Sequence, residues 1–148
     1  HKLMRVSASS SQILSFNLKK GDILFTPSSE TPYDIGRSSV IFSDLEDTLY
    51  SYHLMRFRPS INLNLLYSHY FCNISPVLRQ LSKLCAGSTR FTISVGNFSK
   101  VQIELPCLGE QKKIADFLSA IDSKIETTST KIDKTKEFKK GLLQQMFV

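Results

Sequence analysis

The spacing of apolar and polar positions along the chain changes near residue 108. Before that point, short apolar runs alternate with stretches rich in Pro, Gly and Ser, a pattern typical of short strands and loops. After it, residues 109–148 contain no proline, and apolar residues recur at intervals of three and four. The pattern predicts an α+β fold, with a small mixed α/β domain over residues 1–108 followed by one long helix over residues 109–148.

Within the first domain, short apolar runs next to turn residues predict strands. The predicted strands cover residues 22–26, 39–43, 50–57, 91–95 and 101–105. Helical spacing predicts one helix over residues 62–72, and Ser75 followed by Pro76 predicts the N-cap and first turn of a second helix that Gly87 closes. Residues 27–37 are polar and rich in Pro, Gly and Ser, so we expect a loop there.

The second region carries a heptad pattern over about four heptads, with one local slip at Phe138. A helix from residue 110 to 147 would be roughly 57 Å long at about 1.5 Å per residue, and it has no way to bury its own apolar stripe. The stripe predicts pairing with a second helix, and the alternative is a core helix that folds back on the first domain. The residues predicted to pair, called the heptad seam below, are Ile114, Leu118, Ile121, Ile125, Ile132, Phe138 and Leu142, with Thr128, Thr135 and Met146 in the same stripe.

Composition excludes several classes of protein. Of the 148 residues, 41% are apolar and 22% are charged, which is ordinary for a globular domain and excludes a disordered chain, a collagen-like fibre and a disulfide scaffold. We expect no membrane span and no export, because the sequence lacks both a long apolar run and a leader pattern. The three cysteines are not closely spaced, which favours reduced thiols, and we therefore expect a cytoplasmic protein.

The basic residues are unevenly distributed. The formal net charge is +6, which permits a nucleic-acid partner without requiring one. All arginines lie in residues 1–108, whereas residues 109–148 use only lysine. Because arginine suits bidentate contacts to bases and phosphates, and lysine suits solvated helix faces, this division favours nucleic-acid recognition by the first domain.

Candidate catalytic or metal-binding groups are sparse. His69, Cys72 and Cys85 give the best arrangement for zinc, but a clear fourth ligand is missing. A Cys–His nucleophile pair using His53 lacks any local signature, and the sequence contains no phosphate-binding loop or dinucleotide motif. We therefore expect no catalytic residues, no metal and no cofactor. A small hydrolase that uses the Cys and His residues remains a remote alternative.

A motif at the domain boundary changes this picture. The motif begins with Ile93-Ser94 and a segment that ends at Pro106. It continues with Glu110-Gln111-x-x-Ile114-Ala115, and it ends with Ile121-Asp122-x-x-Ile125. The run resembles the specificity subunit of type I restriction–modification enzymes, and the Gly21–Asp22 strand also looks like part of its target-recognition domain. The resemblance covers about residues 20–147, and its specific part is the Glu-Gln-x-x-Ile-Ala element.

The resemblance implies a non-catalytic DNA-recognition subunit. Such a subunit binds a bipartite DNA sequence and holds methyltransferase and nuclease subunits on it, while two long antiparallel helices separate its two recognition domains. For this chain it implies one recognition domain, one half of a bipartite target, and a homodimer through an antiparallel coiled coil. It also implies that Glu110, Gln111 and the outer face of the helix contact the methyltransferase subunit.

The sequence departs from that family in two ways. A full specificity subunit has two recognition domains and two long helices, whereas this sequence has one of each. The sequence also begins at His1, and the usual opening of a recognition domain is absent before it. We therefore expect either a half-subunit or a fragment of a longer chain, with a recognition domain shortened at its N-terminus.

Residue chemistry, rather than the resemblance, selects the candidate DNA contacts. Hydroxyl groups and arginine side chains suit base edges and phosphates, so we favour the loop at 28–37 and the turn at 87–90, with basic residues near the N-terminus as phosphate contacts. The alternative is that these are ordinary polar loops. The predicted DNA-binding residues are Lys2, Arg5, Ser28, Ser29, Arg37, Ser88, Thr89 and Arg90.

Two further alternatives stay open on sequence alone. Arg56 and Arg58 alternate with Phe57, which is also consistent with a solvated sheet face. In addition, the long helix on its own would serve a helix-mediated assembly protein that never contacts DNA.

Overall fold

The computed structural model describes residues 4–147. Lys2, one of the predicted DNA contacts, lies outside the described residues. The elements, in chain order, are α1 (Ser10–Phe16), β1 (Asn17–Leu18), β2 (Ile23–Phe25), β3 (Ser28–Ser29), β4 (Ser38–Val40), β5 (Leu45–Leu49), β6 (Met55–Phe57), α2 (Leu65–Phe71), α3 (Ser75–Leu84), β7 (Phe91–Thr92), α4 (Val95–Phe98) and α5 (Leu108–Met146).

Three short antiparallel sheets form the strand part of the domain. The central sheet has the order β4-β2-β6, so β2 is its middle strand. Ile23 and Phe25 of β2 are buried, while Leu24 between them is only partly buried, because successive side chains of a strand point to opposite faces. The other two sheets are the pairs β1-β5 and β3-β7. With the long helix α5, this architecture confirms the predicted mixed α/β fold class.

The buried apolar residues form two clusters on either side of a shared pair of aromatic rings. One cluster joins β2, β4 and Cys72, and the other joins the loop residue Ile35 to α3 and Ile93. Phe71 and Phe98 pack against both clusters. The loop that contains Ile35 is therefore fixed to the helical layer by a completely buried side chain.

The two helices α2 and α3 confirm the helical regions predicted from apolar spacing. The start of α3 is one residue earlier than predicted: Ile74, not Ser75, is the N-cap. The Ile74 carbonyl accepts bonds from the amides of Val77 and Leu78 at 3.1 and 3.0 Å, so it is the first acceptor of the helix. Ser75 and Pro76 occupy the first turn, where the missing N–H of proline costs nothing.

Three strand predictions need correction. The predicted strand at 50–57 is interrupted by a turn, in which the Leu54 amide donates to the Ser51 carbonyl at 2.9 Å, and only β6 remains. The segment at 101–105 forms no strand, because the Gln80 side chain bonds the backbone of Gln102 and takes the place of a partner strand. The segment at 91–95 is a strand only over β7, since Ser94 then caps α4.

Helix α1 was not predicted, although its N-terminus carries a recognisable signal. Ser9 is the N-cap, and it forms a reciprocal capping box with Gln12. The helix is short, and none of its residues is buried. Its apolar residues therefore give too weak a periodic pattern to stand out in the sequence.

The long helix α5 runs from Leu108 to Met146, close to the predicted 110–147. Within it, only Gln111 and Ala115 are buried, and its contacts with the domain are made with α2. From residue 120 to residue 146 every residue except Gly141 is exposed. The alternative of a core helix folded back along the domain is therefore wrong for this chain. Among residues 4–147, no helix combines the length and the apolar character that a membrane crossing requires.

Candidate nucleic-acid interface

The small sheet β3-β7 brings the two predicted recognition loops together. Ser28 pairs with Thr92 and Ser29 with Phe91 in antiparallel register, and the Ile93 amide donates to the Pro27 carbonyl at 2.9 Å. Because the strands are antiparallel, the end of β3 lies beside the start of β7. The loop that follows Ser29 and the turn that precedes Phe91 therefore emerge at the same end of this sheet.

The first of these loops, residues 30–37, is held by its own side chains. The Thr31 hydroxyl donates to the Asp34 carboxylate at 2.7 Å, and the Arg37 guanidinium donates to the other carboxylate oxygen at 3.4 Å. The hydrogen bond from Thr31, followed by the one from Arg37, lowers the pKa of Asp34 below its ordinary value. Arg37 is about half exposed, and an exposed ion pair is weak, so its guanidinium can exchange Asp34 for a phosphate.

The base of this loop is fixed by Ile35 and Gly36. Ile35 is fully buried, and the Gly36 amide donates to the Thr26 carbonyl at 2.9 Å. Gly36 has φ +75°, and a Cβ there would collide with the Leu81 side chain. Glycine is therefore required both for the left-handed conformation and for the close approach of the loop to α3.

The second loop is a tight turn over residues 87–90. Ala86 and Thr92 exchange both backbone hydrogen bonds, at 2.9 and 2.8 Å, and so close the turn. Gly87 has φ +135° and lies against the Arg90 carbonyl, so a side chain is excluded there. The three predicted contact residues of this turn, Ser88, Thr89 and Arg90, are all exposed.

Six of the predicted contact residues lie in β3 or in these two loops, and the surface that they are proposed to form is called the recognition surface below. These residues are Ser28, Ser29, Arg37, Ser88, Thr89 and Arg90. The hydroxyl groups and the two guanidinium groups give it donors and acceptors suited to base edges and phosphates. Arg5 is exposed in the extended segment before α1, and no hydrogen bond within residues 4–147 joins it to this surface.

One exposed residue of the 30–37 loop was not among the predicted contacts. Tyr33 lies in the 30–37 loop, and 78% of its side chain is exposed. An aromatic ring with a hydroxyl group suits both apolar and polar contacts with a ligand. The signal in the sequence was an aromatic residue between Pro32 and Asp34, in a loop with no other large apolar side chain except the buried Ile35.

Arg56 and Arg58 both bind other residues of this chain, although Arg58 is exposed and Arg56 is only partly buried. Arg58 donates two bonds to the buried carboxylate of Asp22, at 2.6 and 2.7 Å. Burial raises the pKa of Asp22, but the bonds from Arg58 and from the Lys19 amide outweigh burial, and the net pKa is below its ordinary value. Arg56 donates to the backbone and side-chain oxygens of Asn17. The two guanidinium groups therefore tie β6 and the residue that follows it to Asn17 and Asp22.

The two residues predicted to contact a partner subunit have different positions. Glu110 is exposed and accepts a bond from the Cys107 amide at 3.3 Å, which caps the start of α5. Gln111 is buried: its side-chain oxygen accepts from the Asn64 amide at 3.0 Å, and its nitrogen donates to the Pro106 carbonyl at 2.9 Å. Both polar atoms of the Gln111 side chain are thus hydrogen-bonded within this chain, and a contact of Gln111 with a partner subunit stays a prediction.

The residues of the heptad seam are accessible along α5. Leu118 is half-buried, and the other predicted seam residues have between 39% and 68% of their surface exposed. The exposed ones are Ile114, Ile121, Ile125, Ile132, Phe138 and Leu142. An apolar row of this length on one helix is unusual for a surface that stays in water. Pairing of the seam with a second helix stays a prediction.

Comparison with known proteins identifies the family. Residues 9–137 match the model of the type I restriction modification DNA specificity domain, which covers most of the chain. The chain belongs to this family. The resemblance inferred from the Glu-Gln-x-x-Ile-Ala element is therefore confirmed.

Relatives in this family carry consistent names. The chain is 28% identical, over 139 residues, to a chain named as the MjaX type I restriction enzyme specificity subunit of Methanocaldococcus jannaschii, matching 91% of this chain and 32% of that one. It is 30% identical, over 135 residues, to the type I restriction enzyme HindI specificity subunit of Haemophilus influenzae, matching 88% of this chain and 28% of the relative. The chain thus spans about a third of the length of these relatives.

The fold is also that of a solved member of the family. The type I restriction–modification S subunit from M. genitalium superposes with a TM-score of 0.58 at 18% identity. The match covers 89% of this chain and 34% of that one. At this level of identity the likeness establishes the fold alone.

In this member of the specificity-domain family, the thiol of Cys72 is buried. Burial raises the pKa of the Cys72 thiol to about 11, so the nucleophilic thiolate is scarce at neutral pH. Across residues 4–147, no three His, Cys, Asp or Glu side chains converge as metal ligands would. The geometry at His69, Cys72 and Cys85 therefore gives no support to the remote hydrolase alternative.

Proposed function

We propose that this chain is a non-catalytic DNA-recognition unit of a type I restriction–modification system, which binds one half of a bipartite target. The observation that carries the proposal is the antiparallel β3-β7 pairing, because the loop at 30–37 and the turn at 87–90 leave this small sheet at the same end. Family membership supplies the class of ligand, since the matching model describes a DNA specificity domain.

The chemistry of the recognition surface supports duplex DNA as that ligand. Ser28, Ser29, Ser88 and Thr89 supply hydroxyl groups that both donate and accept, which suits base edges and phosphate oxygens. Arg90 is exposed at the turn, and a guanidinium group bonds guanine in a bidentate manner better than any other side chain. Arg37 suits a phosphate contact, because it already binds an exposed carboxylate.

The long helix supplies the second half of the proposal. We propose that two copies pair through the heptad seam in antiparallel orientation, which places the recognition surfaces at opposite ends of a two-fold dimer. A two-fold interface uses the same patch on both chains, so the target would be two identical inverted half-sites. The number of unread base pairs between them would follow from the length and register of the helix, as dimer spacing sets half-site separation in other DNA-binding proteins.

The methyltransferase and nuclease subunits are the proposed protein partners. Glu110 is exposed at the start of α5, and the face of α5 opposite the seam is polar and exposed, so both are accessible for docking. Assembly without DNA contact is the competing function, and the exposed seam alone favours it. The two functions differ in whether the recognition surface binds DNA.

Salt-dependent binding of labelled duplex DNA tests the proposal, measured for the chain alone and together with the methyltransferase subunit of its own system. We expect the logarithm of the affinity to fall linearly with the logarithm of the salt concentration. Arg37→Ala should reduce the slope by about 0.9 if it removes one phosphate contact. Arg90→Ala should cost about 1–3 kcal/mol on the specific sequence.

Arg79→Ala is the matched control, because Arg79 is exposed on α3 and its loss changes the net charge equally. Equal loss of binding in Arg79→Ala and in the two surface variants would contradict the placement of the recognition surface. Binding that ignores salt, or that never occurs with the methyltransferase subunit present, would overturn the DNA-binding function in favour of assembly alone.

A further inference from the structure

The junction between α2 and α5 contains two separate polar contacts. At the start of α5, the buried Gln111 side chain joins the Asn64 amide to the Pro106 carbonyl. Farther along the helix, the Tyr70 hydroxyl donates to the Asp122 carboxylate at 2.5 Å. Between these contacts, Ala115 is buried. We call Asn64, Tyr70, Gln111 and Asp122 the α2–α5 clamp.

The two contacts of the clamp are well separated along α5. Gln111 and Asp122 are eleven residues apart, which is about 16 Å at about 1.5 Å per residue. A single contact would fix a point on the helix and leave its direction free. Two contacts at this separation fix the direction as well.

The clamp and the heptad seam use adjacent faces of α5. Gln111, Ala115, Leu118 and Asp122 have the spacing 4, 3, 4, and so do the seam residues Ile114, Leu118, Ile121 and Ile125. The second set is displaced by three residues, which rotates it by about 60° around a helix of 3.6 residues per turn. Packing against the domain therefore leaves the seam open for a second helix, and only Leu118 belongs to both rows.

We infer that the α2–α5 clamp is the positioning element that sets the angle between the recognition surface and the long helix, and so sets the spacing between half-sites. This inference rests on the proposed function. In a two-fold pair, the partner's recognition domain lies near the far end of this helix. Any tilt at the clamp therefore moves one recognition surface relative to the other.

The part of α5 beyond the clamp is long enough that a small change in its angle displaces its far end by several ångströms. From Asp122 to Met146, α5 extends about 36 Å at about 1.5 Å per residue. A tilt of about 10° at the clamp moves that end by about 6 Å, which is nearly two base-pair steps of about 3.4 Å. A loosened clamp should therefore accept several spacer lengths, whereas the intact clamp should select one.

The clamp itself is tested by the distance between spin labels at Lys83→Cys on α3 and Lys134→Cys on α5. Both lysines are exposed. The labelled protein also carries Cys85→Ala and Cys107→Ser, so that these two cysteines do not take up the label. Serine replaces Cys107 because that residue is the N-cap of α5, and serine is a favoured N-cap residue. Dilution with unlabelled chain confines the measured distance to one molecule. We expect Tyr70→Phe to broaden or shift the distance distribution. The double variant Tyr70→Phe/Gln111→Met should broaden it further.

Tyr52→Phe is the control, because it also removes an exposed tyrosine hydroxyl and Tyr52 lies far from α5 in sequence. The inference would be overturned if the distance distributions of Tyr70→Phe, Tyr52→Phe and wild type were all the same. Tyr70 is only partly buried, so Tyr70→Phe should fold, and it decides the question if the double variant unfolds.

The effect on spacing is tested by selection from a library of random-sequence duplexes. Wild type and Tyr52→Phe should enrich two half-sites at one spacer length, and Tyr70→Phe should enrich the same half-sites with loss of the single preferred spacer. Retention of one spacer length by Tyr70→Phe would also overturn the inference. If wild type enriches no sequence, the proposed function fails, and the spin-label distances still decide whether the clamp sets the angle.

Discussion

The best-defined ion pair of the domain joins the buried Asp22 to the partly exposed Arg58, and it stabilises the fold. Asp22 is 1% exposed and binds Arg58 through both carboxylate oxygens, with a further bond from the Lys19 amide. Any arginine is a candidate for DNA contact, so Arg56 and Arg58 could not be distinguished from Arg37 and Arg90 by sequence alone. The distinction depends on Asp22 and Asn17, which lie 36 and 39 residues away from their arginine partners.

Replacement of Asp22 by Asn should destabilise the domain. The Arg58 guanidinium would lose its charged partner, and breaking one side of a buried pair costs about 3–5 kcal/mol. We expect about 2–3 kcal/mol here, because the Arg58 side chain is partly exposed and screened by solvent. Urea unfolding of Asp22→Asn checks this value, with Asp34→Asn as the exposed control, and equal midpoints for the two variants would contradict the structural role of Asp22.

The same pair gives the stability a defined pH dependence. The folded-state pKa of Asp22 is below its unfolded value of 3.8, so its contribution is complete above that value and is lost as pH falls through the folded pKa. Wild type should therefore lose stability on acidification below about pH 4, and Asp22→Asn should lose less. Parallel pH profiles for the two proteins would show that Asp22 has no such role.

At the scale of elements, periodic patterns were the reliable part of the sequence. Helix α5 was predicted within two residues at its start, because a proline-free heptad pattern over four heptads has few alternative interpretations. The segment at 101–105 was mispredicted, because a distant side chain, Gln80, satisfies its backbone. The pairing of the short strands β3 and β7 could not be predicted either, although it brings together the two loops of the proposed recognition surface.

Ile121→Asp tests the role of the heptad seam. Ile121 is 39% exposed at the middle of the open row, so a charge there should cost the domain little and should abolish pairing of two seams. Thr127→Asp is the matched control, because Thr127 lies about 120° around α5 from Ile121, outside the seam, and is also exposed. Light scattering should give a monomer for Ile121→Asp and a dimer for Thr127→Asp and wild type. A dimeric Ile121→Asp would mean that another surface holds the copies together.

At the scale of the whole molecule, one domain and one helix account for about a third of the length of the relatives. The chain carries a recognition surface at one end of a small sheet, an open apolar seam and a two-contact junction between them. The sequence locates the polar loops and the long helix, because loop composition and heptad spacing are local properties, and the role of the loops in recognition stays a prediction. The junction was not predictable, since its contacts join residues 47 and 52 positions apart.

The most direct test of the account is sequence selection from random duplexes by the chain, alone and with the methyltransferase subunit, followed by the same selection with Arg90→Ala. The account predicts enrichment of two identical inverted half-sites, and a loss of preference in Arg90→Ala at the base pair that Arg90 contacts in each half-site. Enrichment of no sequence by wild type would contradict DNA recognition by this chain. An enriched motif that Arg90→Ala and Arg37→Ala leave unchanged would contradict the assignment of the recognition surface.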